Sequence, residues 1–466
     1  MKRYYLAVDI GASSGRHILG SVQDGKIVLQ EIYRFENKMI SKVGQLCWDT
    51  DRLFQEIING MKRCAELGKI PVSMGIDTWA VDFALLDKDG RLLGDTVAYR
   101  DARTGKIDRE VEKLISDEEL YRRTGIQKQC FNTIYQLYSV KLAHPEYLEK
   151  AGHFLMIPEY FNFLLTGVVK NEYTNSTTTQ LVNARTKTWD FDLIRRLGFP
   201  ASIFGEIYPP KTAVGRLKPE IRDLTGFDCE VVLPATHDTG SAVMAVPAGK
   251  DEDSIYLSSG TWSLMGVERK DADSGEESRR LNFTNEGGYD YRFRYLKNIT
   301  GLWIIQSARR ELKQKLSFDE LCGMAEQCDG FSSRIDVNHP SFLAPVSMTE
   351  AIREYCRGTG QQEPKTTGEL FSCIYHSLAE SYASTVGMIE KLTAKKYPVI
   401  RIVGGGGKDD YLNLLTAKYT GKTVYTGPIE ATATGNLMAQ MIRDNVFGDL
   451  YEARSAVAAS FEIKKY

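Results

Sequence analysis

Two stretches far apart in the chain follow one local plan: an apolar strand, a turn of glycine and small hydroxylated residues, and a second apolar strand. The first is LAVDIGASSGRHILG from Leu6, and the second is SIYLSSGTWSLMG from Ser254. Such a turn between apolar segments predicts a β-hairpin. The spacing predicts strands at Tyr4–Ile10 and Arg16–Ser21 and, beyond Asp24-Gly25, at Lys26–Phe35; the second copy predicts Ser254–Leu257 and Trp262–Glu268. Helical periodicity follows both hairpins. After a capping Asp51 it runs through Leu53, Phe54, Ile57, Ile58, Met61 and Ala65, and downstream through Leu370, Ile374, Leu378, Tyr382, Val386 and Ile389. Further strands are predicted at Val72–Asp77, Val81–Leu86 and Val399–Val403, with a helix from about Asp410. This alternation predicts an α/β fold with largely covered sheets.

One hydrophobic core seldom serves more than roughly 250–300 residues, and this chain has 466. The segment VPAGKDEDS, Val246–Ser254, combines proline, glycine and charge and is the natural boundary. The expectation is an internal duplication: two α/β domains, 1–246 and 247–466, with an active-site cleft between them.

Charge narrows the function classes. Lys plus Arg number 59 and Asp plus Glu 61, so no basic excess exists to draw nucleic acid or a membrane surface. No stretch approaches the roughly 18 apolar residues of a membrane span, and Asp9 interrupts the only signal-like start. The eight cysteines form no CxxC pair and read as reduced, buried thiols. The cytoplasm is the expected compartment.

Several motifs carry chemistry. In DIGASSGR, Asp9 ends a strand ahead of a turn whose backbone N–H groups suit phosphate oxygens, while its carboxylate suits hydrated Mg²⁺. A plain hairpin turn is the alternative. Ser258 to Thr261 offers a second such turn, and two phosphate turns around one triphosphate describe the actin-like, ribonuclease H-type ATPase fold. Gly404 to Gly407 joins a strand to a helix, where a ligand or neighbouring backbone can come close. The helix opening at EATATGN is consistent with packing beside that loop. Asp238, in His237-Asp238-Thr239, reads either as a general base for an alcohol or as a helix cap. Asp77-Thr78-Trp79-Ala80-Val81-Asp82-Phe83 sets carboxylates and aromatics around a turn, as carbohydrate sites do and as charged hairpins also do.

Taken in order, DIGASSGR, HDT, SSGTW, VGGGG and GPIEATATGN resemble the FGGY carbohydrate kinases, and IDTWAVDFALLD, AYRDAR, FNTIYQL, EYTNSTTTQLVN, TNEGG and LKNITGLWIIQ extend the resemblance over about residues 5 to 440. The resemblance implies ATP-dependent phosphorylation of a small ketose, L-rhamnulose at O1, to give L-rhamnulose 1-phosphate and ADP. By motif it implies Asp238 as catalytic base, with His237, Thr239, Ala80 and Asn298 on the sugar. Trp79 or Phe83 is expected to meet the methyl of the 6-deoxy sugar. Ala12, Ser13, Ser14, Gly15, Arg16, Thr261, Gln306 and Gly406 match nucleotide positions, and Asp9 matches the residue that organises Mg²⁺ through water. Ala80 departs from the glycine more usual in this branch, and its methyl adds strain if that residue has positive φ. Other readings stay open: a kinase for fuculose, xylulose or ribulose, or a catalytically silent regulator of the same fold.

Overall fold

The computed structural model describes residues 2–250, 252–343 and 345–466, and the chain forms two compact units. The first comprises Met1–Ala245, Glu268–Tyr295 and Ala431–Ser460; the second comprises Val246–Val267, Leu296–Glu430 and Phe461–Tyr466. Compactness therefore follows the chain only in part, because two stretches beyond residue 246 pack with the first unit. Of the expected boundary segment, Asp251 lies outside the described residues.

The first unit is built on a sheet of β1 (Tyr4–Ile10), β2 (Ser14–Gln23), β3 (Lys26–Glu36), β4 (Pro71–Thr78), β5 (Ala213–Arg216) and β6 (Glu230–Val232) in the order β5-β6-β4-β1-β2-β3. β1, β2 and β3 form the predicted antiparallel meander, whereas β1, β4 and β6 run parallel. In the second unit β7 (Ser254–Ser259) pairs antiparallel with β8 (Trp262–Arg269) and parallel with β10 (Val399–Val403), which pairs parallel with β11 (Thr423–Thr426). β9 (Phe293–Thr300) neighbours β8, and β12 (Lys464–Lys465) closes the far edge. The runs β3-β2-β1-β4-β6 and β9-β8-β7-β10-β11 have the same wiring. The duplication expected from the two hairpins is present in the topology.

Burial explains the helices. Thr50–Glu66 buries Leu53, Ile57, Ile58, Met61 and Cys64, the apolar stripe of its sequence, against a core that includes Leu6, Val8, Met74 and Ile76. Its cap is Asp49, not Asp51: Arg52 N–H donates to Asp49 Oδ1 at 3.1 Å. Thr367–Thr393 opens with a reciprocal Thr366–Glu369 capping box and buries the predicted stripe. A second core in the first unit, including Phe83, Phe154, Trp189 and Phe204, had no counterpart in the periodicity analysis. Its strand is Phe83–Asp87, not Val81–Leu86, because Val81 takes a left-handed conformation (φ 68°) that no extended strand accommodates. Cys47, Cys64, Cys229, Cys356 and Cys373 are buried as expected, but Cys322 and Cys328 are half-buried and Cys130 is exposed. Among the described residues no helix is long and apolar enough to cross a membrane.

The segment that opens the next helix meets the glycine loop as expected: Gly404 N–H donates to the Pro428 carbonyl at 3.1 Å, and Gly407 faces Ile429. The helix itself, Ala431–Arg443, belongs to the first unit. There Asn436 Nδ2 donates to the Gly75 carbonyl at 3.1 Å and Gln440 Nε2 to the Leu6 carbonyl at 3.0 Å. Gly435 is where this helix meets Asp238–Met244, and a Cβ on it would lie 1.8 Å from the Ser241 carbonyl oxygen. Backbone cannot yield as a side-chain tip can. Gly435→Ala should therefore destabilise the first unit by about 3 kcal/mol, the upper end for overpacking, measured as a lower midpoint in denaturant unfolding.

Candidate active site

Three acidic side chains come to one edge of the first sheet because parallel strands end together. Asp9 is in register with Asp77 across β1 and β4, and Thr78 bridges in parallel to His237, the residue before Asp238. Ligands of open α/β sheets collect at such carboxyl ends. Across the hairpin Asp9 faces Arg16, whose Nε and Nη2 donate to Asp9 Oδ2 at 3.0 and 2.8 Å. Asp77 is wholly buried. Asn436 Nδ2 donates to its Oδ2 at 2.5 Å, while its Oδ1 has no hydrogen-bond partner. Burial first, then Asp9 and Asp238, push the Asp77 carboxyl well above the carboxylate range.

Asp238 is the first residue of a helix whose N-cap is His237. Its Oδ1 accepts from Thr239 N–H at 2.6 Å and Thr239 Oγ1 at 3.2 Å. Among the described residues nothing donates to its Oδ2, and 31% of the side chain is open. Desolvation, followed by the neighbouring Asp9 charge, raises its pKa to about 7. A carboxyl poised there can accept a proton near neutral pH, which a mere cap does not require.

The backbone that presents Asp238 is held by two buried glutamates absent from the sequence expectations. Glu172 Oε2 accepts from Thr236 N–H at 3.1 Å and Asn175 N–H at 3.2 Å, and Oε1 accepts from Thr174 N–H at 2.8 Å. Thr236 Oγ1 lies 2.9 Å from Glu172 Oε2 and 2.6 Å from Glu159 Oε1. A hydroxyl has one proton, so both contacts cannot be donated by Thr236. Glu172, already surrounded by N–H donors, is the anion, and Glu159 is the acid that donates to Thr236. Burial, opposed by Thr236 and reinforced by Glu172, raises Glu159 to about 8, consistent with that assignment.

The 77–83 segment differs from the expected carbohydrate wall. Asp82 is no free acceptor: Trp48 Nε1, Trp79 Nε1 and Tyr99 N–H donate to its Oδ2 at 2.6, 2.9 and 3.1 Å, and Gln136 Nε2 donates to Oδ1 at 3.0 Å. Phe83 stacks on Phe154 in the second core, with centroids 5.2 Å apart. Trp79 packs on Trp48 at 4.0 Å. The strain expected at Ala80 falls instead on Val81, the left-handed residue, whose carbonyl accepts from Thr133 Oγ1 at 2.6 Å and Gln136 Nε2 at 3.2 Å. Ala80 has no positive φ, so its methyl carries no such penalty.

The first phosphate turn exposes Ala12 and Ser13. Gly11 N–H bonds the Ser14 carbonyl at 2.9 Å, and Asn37 braces the turn through Asn37 N–H to Ser13 O at 3.0 Å and Nδ2 to Gly11 O at 2.9 Å. Gly15 lies under the Phe35 ring, which explains its missing side chain.

In the second unit the 258–261 turn gathers Thr261, Gln306 and Gly406. Trp303 N–H donates to the Thr261 carbonyl at 3.1 Å, opening the helix Trp303–Arg310 that carries Gln306. A Cβ on Gly406 would lie 1.9 Å from Ser259 Oγ, so the glycine loop and β7 touch only because that residue has none. Asn298 lies half-buried on β9.

Two identically wired sheets, one of them with an acidic strand edge, are the architecture of the actin-like class. The N-terminal domain of the FGGY family of carbohydrate kinases matches residues 4–245 and its C-terminal domain residues 255–443. The chain belongs to the FGGY family of carbohydrate kinases. It is 54% identical over 463 residues to a rhamnulokinase of Halalkalibacterium halodurans, covering 99% of this chain and 98% of that protein. It is 50% identical over 466 residues to a rhamnulokinase of Oceanobacillus iheyensis, covering 100% and 98%. Among solved structures, a ligand-bound xylulose kinase from Lactobacillus acidophilus superimposes with a TM-score of 0.81 at 18% identity, covering 100% of this chain and 93% of that one. A Plasmodium falciparum glycerol kinase with ADP gives 0.77 at 14%, covering 99% and 94%. At such identities the structures speak for the fold alone.

The glutamate pair yields a contrast. Glu159→Gln keeps a donor to Thr236 and should leave kcat within about threefold. The raised Glu159 pKa makes its contribution full below the ordinary 4.5 and lost as pH climbs through about 8. The Gln variant should flatten that decline in melting temperature. Glu172→Gln, which removes the anion among N–H donors, should lower kcat at least tenfold. Equal effects in the two variants would refute the assignment.

Proposed function

We propose that this chain transfers the γ-phosphoryl group of ATP to O1 of L-rhamnulose, forming L-rhamnulose 1-phosphate and ADP. The observation that carries the proposal is Asp238, a carboxyl with an open Oδ2 and a pKa near neutrality, in a chain about half identical along its whole length to proteins named rhamnulokinase. In this reading the first unit carries the base, most sugar contacts and the Ala12 to Arg16 nucleotide turn, and the second carries Thr261, Gln306 and Gly406 for the nucleotide.

Phosphoryl transfer asks for alignment and charge compensation more than covalent help from the protein. Asp238 Oδ2 takes the proton of the O1 hydroxyl as that oxygen bonds to phosphorus, and ADP leaves with the electron pair of the broken P–O bond. His237, Thr239, Asn298 and the backbone at Ala80 meet hydroxyls. Phe83 and Trp79 both pack in cores, so neither is assigned to the methyl. Ala12 to Arg16, Thr261, Gln306 and Gly406 receive the nucleotide.

The residues fit a hydrated Mg²⁺. Asp77 is pushed up first by burial and then by the charges of Asp9 and Asp238, which a cation would offset, and among the described residues its Oδ1 has no hydrogen-bond partner. Among the described residues no group of three or more His, Cys, Asp or Glu is poised to hold a bare ion, which suits binding through water. Asp9 and Asp77 would hold it, and when bound it neutralises phosphate charge.

A coupled ADP assay over a ketose panel tests the proposal. kcat/KM should be highest for L-rhamnulose, lower for L-fuculose because a wrong stereocentre strands buried polar groups, and very low for glycerol. A clear preference for L-xylulose, L-fuculose or D-ribulose would overturn the sugar assignment.

Asp238 makes a second test with two readouts. Since the base must be ionised, kcat/KM should fall about tenfold per pH unit below 7, and Asp238→Asn should lower kcat by about 10²–10⁴-fold. Stability should move the other way. A carboxyl raised from 3.8 to about 7 contributes stability below its ordinary pKa and loses it as pH rises through 7. Asp238→Asn should therefore melt higher than the parent at pH 8, with no gain near pH 4. Near-normal turnover in the folded variant would reduce Asp238 to a helix cap.

A further inference from the structure

Arg294 is fully buried on β9, inside the first unit, and the kinase reading does not use it. Its Nε donates to the Gly287 carbonyl at 2.8 Å, and its Nη2 is 2.9 Å from His237 Nδ1 and 3.1 Å from Glu286 Oε2. The opposite ring nitrogen, His237 Nε2, lies 3.4 Å from Asp238 Oδ1. Guanidinium nitrogens only donate, and Arg remains charged at any working pH. The imidazole nitrogen facing Arg294 must therefore be a bare acceptor, because two N–H groups cannot point at each other. That leaves one position for the proton of the ring.

We propose that Arg294 is a positioning residue that holds His237 as the neutral Nε2–H tautomer, with its one N–H on the Asp238 side of the ring. The proposal rests on the reading of Asp238 as base. Glu286 would otherwise favour an imidazolium, since its Oε2 is 3.5 Å from the same Nδ1, but Arg294 stands closer and is itself paired with Glu286. The groups facing His237 are thus Arg294, Glu286 and Asp238, and those acting on Asp238 are Asp9, Thr239 and Arg294. Burial and the Arg294 charge both push the imidazole well below its ordinary pKa, in the same direction as the geometry.

The tautomer has a chemical consequence. An imidazolium beside Asp238 would form an ion pair and weaken the carboxylate as a proton acceptor. A neutral N–H on that side, 3.4 Å from Asp238 Oδ1, leaves the carboxylate without that loss. Which ring nitrogen bears the proton is set by the partner of the other, and here that partner is a fixed cation.

Nitrogen-15 NMR on histidine-labelled, full-length protein reads the tautomer directly. The chain has six histidines, and the signals lost in His237→Gln identify the one in question. Expected in the parent are a pyridine-type Nδ1 and a pyrrole-type Nε2, unchanged between about pH 6 and 9. A protonated Nδ1, or a ring that titrates in that range, would overturn the proposal without any Arg294 variant and without reference to the sugar. In Arg294→Met the ring should titrate, and kcat should fall roughly 10–100-fold, the scale of a displaced reacting group. Arg294→Lys should recover part of both. Loss of activity in Arg294→Met while His237 keeps the parent tautomer would also overturn it. Failure of the kinase reading would show instead as normal turnover in Asp238→Asn.

Discussion

Parallel pairing of β1 with β4, extended by the Thr78–His237 bridge, brings the ends of three chain segments level, and with them Asp9, Asp77 and Asp238. Like charges this close in a desolvated edge repel, which is why Asp77 and Asp238 are both displaced toward the protonated form. The surroundings of that edge become intelligible as compensation. Arg16 is the cross-strand partner of Asp9, Asn436 reaches Asp77 from a helix that the chain returns late to supply, and Glu172 gathers the N–H groups of the segment leading into Asp238. Each compensating group acts on one acid or its backbone, and none neutralises the edge as a whole. The residual charge is what the proposed proton acceptor and cation would use.

Much of this was legible from the sequence because local rules and the fold agree. Both hairpins, the strand Val399–Val403 and the long helix ending at Thr393 were written in alternation, glycine turns and a repeating apolar stripe. Asp238 and the two turns of glycine and hydroxylated residues stand out in the sequence as motifs. What failed shares one cause. Asp82 fits a carbohydrate site or a charged hairpin by sequence, but Trp48, Tyr99 and Gln136 come from distant segments to occupy it. Ala80 drew attention as a substituted glycine, while the strained residue is its β-branched neighbour Val81, held by Thr133 and Gln136. Glu159, Glu172 and Arg294 carry no periodic signal because tertiary contacts alone make room for ionisable groups in a core. TNEGG and the arginine inside an otherwise buried strand were the available hints. A charge at an inward strand position must find a partner, and here the partner was the histidine of the HDT motif.

The two sheets also show how one wiring can serve opposite electrostatic tasks. At the end of β1 stand Asp9 and, on its parallel neighbour, Asp77. At the equivalent place in the second unit, β7 ends in Ser258 and Ser259, and its parallel neighbour β10 runs through Val403 into Gly404 and Gly406. No carboxylate replaces the acids there. A polyphosphate would be repelled by the first edge unless a cation came with it, whereas the second offers hydroxyls and backbone close enough that a single methyl on Gly406 would strike Ser259. The duplication thus supplies the same strand ends twice, and the residues at those ends differ: acids at one, hydroxyls and glycines at the other.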